Sequence, residues 1–217
     1  MSAILPNGSI FEIAAALTSP KPVTIISNAK PAVATSAAHG FDDGDVLVVG
    51  SGWTRLNDKI VRVADSDTDT FALEGIDSTK TTVYTPGSGV GTVRAVDGWA
   101  QISQITDNNS SGGEQQFTTF GFLEESDDRQ LPTTKSPITL SITVADDDEL
   151  PYVAIVEEAD EDRAPRPLRL TLPNGAVIYY NAYVSITPTP TLGRNNVMTR
   201  TITLSLASRP TRYKASA

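Results

Sequence analysis

Polar and apolar positions alternate strictly over residues 137–144, PITLSITV, placing Ile138, Leu140, Ile142 and Val144 on one face and hydroxyl residues on the other. Residues 201–206, TITLSL, repeat the pattern. A period of two is that of a strand in an antiparallel sheet with one dry and one wet face. Residues 168–172 and 176–180 are apolar runs on either side of Pro173-Asn174-Gly175, a turn signature that predicts a hairpin. Between the alternating strands lies a helix candidate of about three turns. Asp147 or Asp148 is placed to cap it, Pro151 suits its first turn, and acidic side chains there favour the positive end of the helix dipole. Leu150, Val153, Ala154 and the stem of Glu157 are expected to face the sheet, with the helix ending before Pro165. The order strand, helix, hairpin, strand predicts a β-sandwich or barrel with one flanking helix.

Residues 22–96 read as a separate small all-β unit, with short strands at 23–26, 33–36, 45–49, 59–64 and 70–74 divided by Gly- and Asp-rich turns. Ser19-Pro20-Lys21-Pro22 and Asp97-Gly98 read as its linkers. Residues 9–17 then belong with the C-terminal part, paired near residues 99–106. The predicted organisation is a discontinuous β domain over 1–20 and 98–217 with a small β-barrel domain over 21–97 inserted into it. Residues 110–136 differ in character: a polar stretch opening on Ser110-Ser111-Gly112-Gly113 that nevertheless carries Phe117, Phe120, Phe122 and Leu123. Such a segment is either a hairpin packed on its own domain or an arm that becomes ordered on a neighbouring subunit, and the arm is the favoured reading.

The net charge of −9 argues against gripping nucleic acid, which requires a basic surface. The charge is also segregated. Between Asp146 and Asp162 every charged residue is acidic, and from Arg163 to the end every one is basic. This is either a solvated face with scattered arginines or a pair of complementary faces for head-to-tail association. No apolar run approaches the roughly 18 residues of a membrane span, and residues 1–6 show no basic region followed by an apolar one. The absence of cysteine excludes disulfides and thiolate chemistry. Asp65-Ser66-Asp67-Thr68-Asp69 starts like a calcium loop, but Thr70 and Ile76 stand where a glycine and a glutamate are needed, so a turn is expected. His39 is the only histidine, and no nucleophile elbow or phosphate-binding loop accompanies it. The expectation is no catalytic, metal or cofactor site.

Residues 170–177 (LTLPNGAV), Tyr183-Val184-Ser185, residues 197–204 (VMTRTITL) and Ser208-Arg209-Pro210 resemble the end of the major tail tube protein of lambda-like, long-tailed bacteriophages. Upstream, Trp99-Ala100-Gln101-Ile102, the polar arm, a strand and an acidic helix follow the order of the same domain. Residues 27–92, with Ala38-His39-Gly40-Phe41, Gly44-Asp45-Val46, Leu56-Asn57 and Thr70-Phe71-Ala72-Leu73, are similar to a small β-barrel module of phage tail proteins named for part of the ubiquitin-activating enzyme. No ubiquitin chemistry follows from that name. The resemblance implies a mainly β, tail-tube-type sandwich or barrel with a flanking helix, a long hairpin arm and an inserted all-β module on the outer surface.

It further implies a structural virion subunit, assembled in the host cytoplasm, that forms hexameric rings stacked into a tube with an acidic lumen through which double-stranded DNA passes. By the same resemblance its partners are itself, a tape-measure protein, a tail terminator, tail-tip proteins and tail assembly chaperones, with no membrane partner. Two sets of site residues are expected. Phe117, Phe120, Phe122, Glu124, Glu125, Asp127, Asp128 and Arg129, or the hydroxyl faces of the 138 and 202 strands, border the lumen or the ring junction. Asp147, Asp148, Glu157 and Glu158 meet Arg209, Arg212 and Lys214 of a neighbour. The alternative is a host-surface-binding module that forms no tube, and a hydrolase is the third reading.

Overall fold

The computed structural model describes residues 5–215; Met1-Ser2-Ala3-Ile4, inspected above for a leader, lie outside them. The chain is mainly β, as the alternation predicts. In order it forms β1 (Ile10–Leu17), β2 (Lys21–Val23), β3 (Ile25–Ile26), β4 (Ala32–Thr35), β5 (Val46–Ser51), β6 (Lys59–Ala64), β7 (Thr70–Leu73) and β8 (Gly91–Ile102). Then follow β9 (Ile105–Ser111), β10 (Gln115–Phe120), β11 (Arg129–Lys135), β12 (Thr139–Ala145), α1 (Pro151–Asp162), β13 (Arg166–Thr171), β14 (Val177–Ile186), β15 (Thr199–Leu206) and β16 (Thr211–Tyr213).

Two apolar cores form on opposite halves of one 14-stranded hydrogen-bonded path, β3-β4-β7-β6-β5-β8-β1-β13-β14-β15-β12-β9 with β2 and β16 attached at its side. The first core gathers Val23, Phe41, Leu47, Trp53, Leu56, Phe71 and Leu73 from residues 23–95. The second gathers Phe11, Ile13, Ile102, Ile142, Val156, Leu168, Ile202 and Leu204. Leu140, Ile142 and Val144 are buried while Thr139, Ser141 and Thr143 are half-exposed, so the period-two reading of that strand holds residue by residue.

Of the residues expected as linkers, Lys21-Pro22 and Asp97-Gly98 lie in strands, β2 and β8, while Ser19-Pro20 stand between β1 and β2. β8 runs without interruption from one core to the other. Its N-terminal half pairs with β5 (Leu47↔Ala95 to Ser51↔Gly91) and β2, and its C-terminal half with β1 (Leu17↔Val96 to Phe11↔Ile102). Thr18 N–H donates to the Ala95 carbonyl at 2.9 Å, which carries the antiparallel ribbon across the junction. Gly98 reads as a break, but it takes φ of +85° inside the strand, a conformation open to glycine at no steric cost. Long-range pairing thus overrides a local turn signal.

A third apolar cluster seals the junction: Val46 and Ile60 against Tyr179 and Tyr213, with Trp99 and Val177 beside them. Polar contacts register it. The Asn181 amide and the Ser208 hydroxyl both donate to the Asp58 carbonyl at 2.8 Å. The Tyr213 hydroxyl accepts from the Arg62 N–H at 2.9 Å and donates to the Glu74 carbonyl at 3.0 Å, while the Arg62 guanidinium lies 4.6 Å from the Tyr213 ring centre.

The helix lies where expected, with Pro151 in its first turn, but its capping differs. Leu150 occupies the N-cap with no side-chain hydrogen bond, and Arg163 closes the helix in the left-handed region at φ of 52°. Asp147 accepts the Glu149 N–H at 3.2 Å ahead of the helix, and Asp148 is drawn to Arg200. The face toward the core is Tyr152, Val153, Val156 and Ala159; Ala154 and Glu157 are exposed. The apolar stripe is shifted from the expected one because Tyr152 enters the core.

Burial pushes the Tyr213 hydroxyl up from its ordinary 10.0 to about 12. Phenol is neutral when protonated, so the folded chain holds this proton more tightly than the unfolded one, and the associated stability is full below 10.0 and is lost as pH rises toward about 12. Tyr213→Phe leaves the Arg62 N–H and Glu74 carbonyl without their partner and is expected to cost about 1–3 kcal/mol in chemical denaturation at neutral pH. The variant should also lose less stability than the parent chain across that alkaline window.

Candidate assembly surfaces

Three surfaces hold the residues expected to meet a neighbour. The first is the hairpin of β10 and β11, which forms its own two-stranded sheet apart from the main path. It is paired from Gln115↔Lys135 to Phe120↔Arg129. Gly112 roots it with φ of +87°, and a Cβ there would sit 1.8 Å from the Pro137 carbonyl oxygen, so the turn requires glycine. Nearly every hairpin side chain is exposed, including Phe117, Phe122 and Leu131, and Leu123 at the tip is 105% exposed. The segment is a hairpin in its backbone, and nearly all of its side chains stand in solvent rather than against its own domain.

The tip has an internal order of its own. The Phe120 and Phe122 rings meet edge to face at 5.6 Å, Arg129 lies 5.7 Å from the Phe122 ring centre and pairs with Glu125, and the Glu125 N–H donates to the Phe122 carbonyl at 3.0 Å. Glu124, Asp127 and Asp128 are exposed around this knot. An isolated two-stranded hairpin is marginal in water, and exposed aromatic side chains favour burial against a partner.

The second surface is the wet face of the sheet formed by β9, β12, β15 and β14. Its cross-strand rows are Ser111–Thr139–Ser205–Tyr183 and Asn109–Ser141–Thr203–Ser185, followed by Asp107–Thr143–Thr201. Asp107 is the one ionisable carboxylate in these rows. Both margins of this sheet are open among the described residues. β9 ends the hydrogen-bonded path, and residues 183–186 of β14 extend beyond the last β13 pair, Arg166↔Ala182. Such margins present unpaired backbone donors and acceptors along a strand edge.

The third surface is the acidic helix region. Several of its carboxylates are paired within the chain, by arginines other than Arg209, Arg212 and Lys214. Arg200, only 8% exposed, places Nε 2.7 Å from Asp146 Oδ1 in an ion contact, pairs with Asp148, and approaches Glu157 at 3.4 Å. Arg166 lies 3.4 Å from Glu158 and 2.6 Å from Asp162. Asp148, Glu157 and Glu158 therefore already have basic partners, and those partners are Arg200 and Arg166. Arg209, Arg212 and Lys214 lie on the segment holding β16, where Arg212 and Lys214 are exposed on either side of buried Tyr213.

The remaining candidates are structural. His39 Nδ1 accepts the Phe41 N–H at 3.0 Å, so Nε2 carries the proton and faces the Thr70 carbonyl at 3.3 Å; the ring packs between Phe41 and Phe71. In the 65–69 turn, Asp69 accepts the Ala38 N–H at 2.7 Å and Asp67 that of Thr68 at 2.8 Å, so these carboxylates serve turn amides.

Residues 51–215 match the phage tail tube protein family, from the end of β5 through the hairpin, the helix and β16. The chain belongs to the phage tail tube protein family. No curated protein matches it. It is accordingly a structural component of the virion tail, not an enzyme, and self-associates into a tube with other tail components. Sequence reasoning found the hairpin from its misplaced aromatics, but not the Arg200 cluster, whose members are separated by as much as 54 positions, from Asp146 to Arg200.

Arg200→Met should leave the Asp146 carboxylate without its ion partner at the sheet–helix contact and lower stability by about 3 kcal/mol. Arg212→Met, on the exposed tail, should stay within about 0.5 kcal/mol of the parent chain in the same denaturation assay.

Proposed function

We propose that the subunit closes into hexameric rings by joining the open margin of β9 to residues 183–186 of the adjacent copy, and that the rings stack into the tail tube of a long-tailed phage. The observation that carries this reading is the pair of open margins on one sheet. Backbone groups left unpaired there find partners if successive copies continue the sheet until it closes on itself, and a closed barrel has no edge. The hydroxyl and amide rows then face the lumen.

Such a wall suits a DNA conduit. It offers no cation to hold phosphate, and Asp107 together with the net charge of −9 repels it, so DNA passes during ejection without being gripped. The β10–β11 hairpin reaches the adjacent ring, where its exposed aromatics become buried. Residues 1–20 with 98–217 form the tube domain, and residues 21–97 form a module on the outer surface, on the side of the path away from β9. Tape-measure, terminator, tail-tip and chaperone proteins are the partners this role requires.

Negative-stain microscopy of the purified chain across concentration and salt is expected to show rings or hollow tubes. Hydrogen exchange should slow on assembly at residues 105–111 and 183–186 while the outer strands β3 and β4 stay unchanged. Replacing residues 114–136 by a short Gly-Ser turn should leave rings that do not stack. Tubes formed without protection at both margins would overturn the barrel closure.

A further inference from the structure

The chain carries excess negative charge, yet one cleft of about 750 Å³ is rimmed by Arg55, Lys59, Lys135 and Arg209, with no Asp or Glu in its lining. These cations come from three separate places: the loop after β5 and the start of β6, the root of the hairpin, and the segment between β15 and β16. Their convergence follows from the tertiary fold. None of the four takes part in an ion pair among the described residues, whereas Arg62, Arg166, Arg169 and Arg200 all do. Two carboxylates adjoin lining residues in sequence, and each accepts a hydrogen bond from a neutral donor, Asp58 from the Asn57 amide at 2.7 Å and Glu114 from the Ser136 hydroxyl at 2.6 Å. Burial first, and then the charge of Arg209, pulls the Lys59 ammonium below its ordinary value, the mark of crowded cations lacking a counter-charge. Half-buried Ile138 and Leu206 also line the cleft.

We propose that this cleft is the receptor for the hairpin tip of a second copy of the chain, with Glu124, Glu125, Asp127 and Asp128 meeting the basic rim and Leu123 meeting Ile138 and Leu206. The inference rests on the self-assembly reading above and deepens it by naming where the hairpin lands. Complementarity is double: the tip joins carboxylates to a fully exposed leucine, and the cleft joins cations to the aliphatic side chains of Ile138 and Leu206. The chain's own tip cannot serve. Lys135 and Gly113 line the cleft at the hairpin root, and the strand Gln115–Phe120 carries the tip about 20 Å away at the ordinary strand rise. Tip into root is a heterologous contact that repeats from copy to copy, as stacking demands.

The absence of native cysteine makes the test clean. Full-length chain carrying Asp127→Cys and Lys135→Cys is oxidised under assembly conditions and resolved on a denaturing gel, with microscopy of the same sample. A ladder of disulfide-linked oligomers is expected, and each single-cysteine variant should stop at the dimer. In the two-cysteine background, Arg55→Glu with Arg209→Glu should cut the ladder about tenfold at low salt, and adding Glu124→Lys with Glu125→Lys should restore it. Tubes without a ladder would overturn the receptor and leave the tube reading standing. A ladder without tubes would support the receptor and sink the ring reading. Neither tubes nor ladder would overturn both. A cleft that retains DNA and gives no ladder is a phosphate site instead, and the proposal fails.

Discussion

The pairing of residues 10–23 with residues 91–102 is the constraint on which the molecule depends. Each core draws one wall from this ribbon, so neither can form completely without it. The antiparallel register carries across the junction through the Thr18–Ala95 hydrogen bond. The aromatic seal of Trp99, Tyr179 and Tyr213 can form only because the ribbon holds the two halves at a fixed angle. The hairpin, the hydroxyl rows and the basic cleft inherit their relative positions from the same source.

The energetic character of the subunit differs from one end of the hydrogen-bonded path to the other. Around β5, β6 and β8 the apolar side chains are buried and the sheet is paired on both sides. Toward β9 and the hairpin the strands become polar or exposed and their backbone edges open. An arrangement so uneven makes sense for a subunit whose folding is completed by association, because groups left in water by the monomer are those that association removes from it. The Arg200 and Arg166 clusters belong to the other category. They pair Asp146, Asp148, Glu157, Glu158 and Asp162 with arginines of the same chain.

What the sequence disclosed followed the range of the interaction. Strands whose faces are set by local alternation, such as β12 and β15, are legible almost to the residue, and the Pro173-Asn174-Gly175 hairpin and the position of α1 are local signals too. The hairpin arm was visible because Phe117, Phe120 and Phe122 sit in a polar stretch, a conflict that local composition exposes. Contacts across long separations were not. Gly98 looks like a break until residues 14–17 are known to lie beside it. Asp148 looks like a helix cap until Arg200 is known to lie against it. The basic cleft is the extreme case, since Arg55, Lys135 and Arg209 share no local pattern and are brought together by packing alone.

The ribbon has one more consequence, for how such a subunit can be rebuilt. The chain leaves the pairing at Thr18 and returns at Ala95, positions held side by side by a 2.9 Å hydrogen bond. Everything between them is, topologically, the loop of one very long β-hairpin. Cutting across the ribbon at that point leaves two ends a single strand spacing apart, which a tight turn can join or a different domain with neighbouring termini can bridge. The position is a socket: the segment between the two ends can be exchanged there with little change to the path of β1 or the C-terminal half of β8.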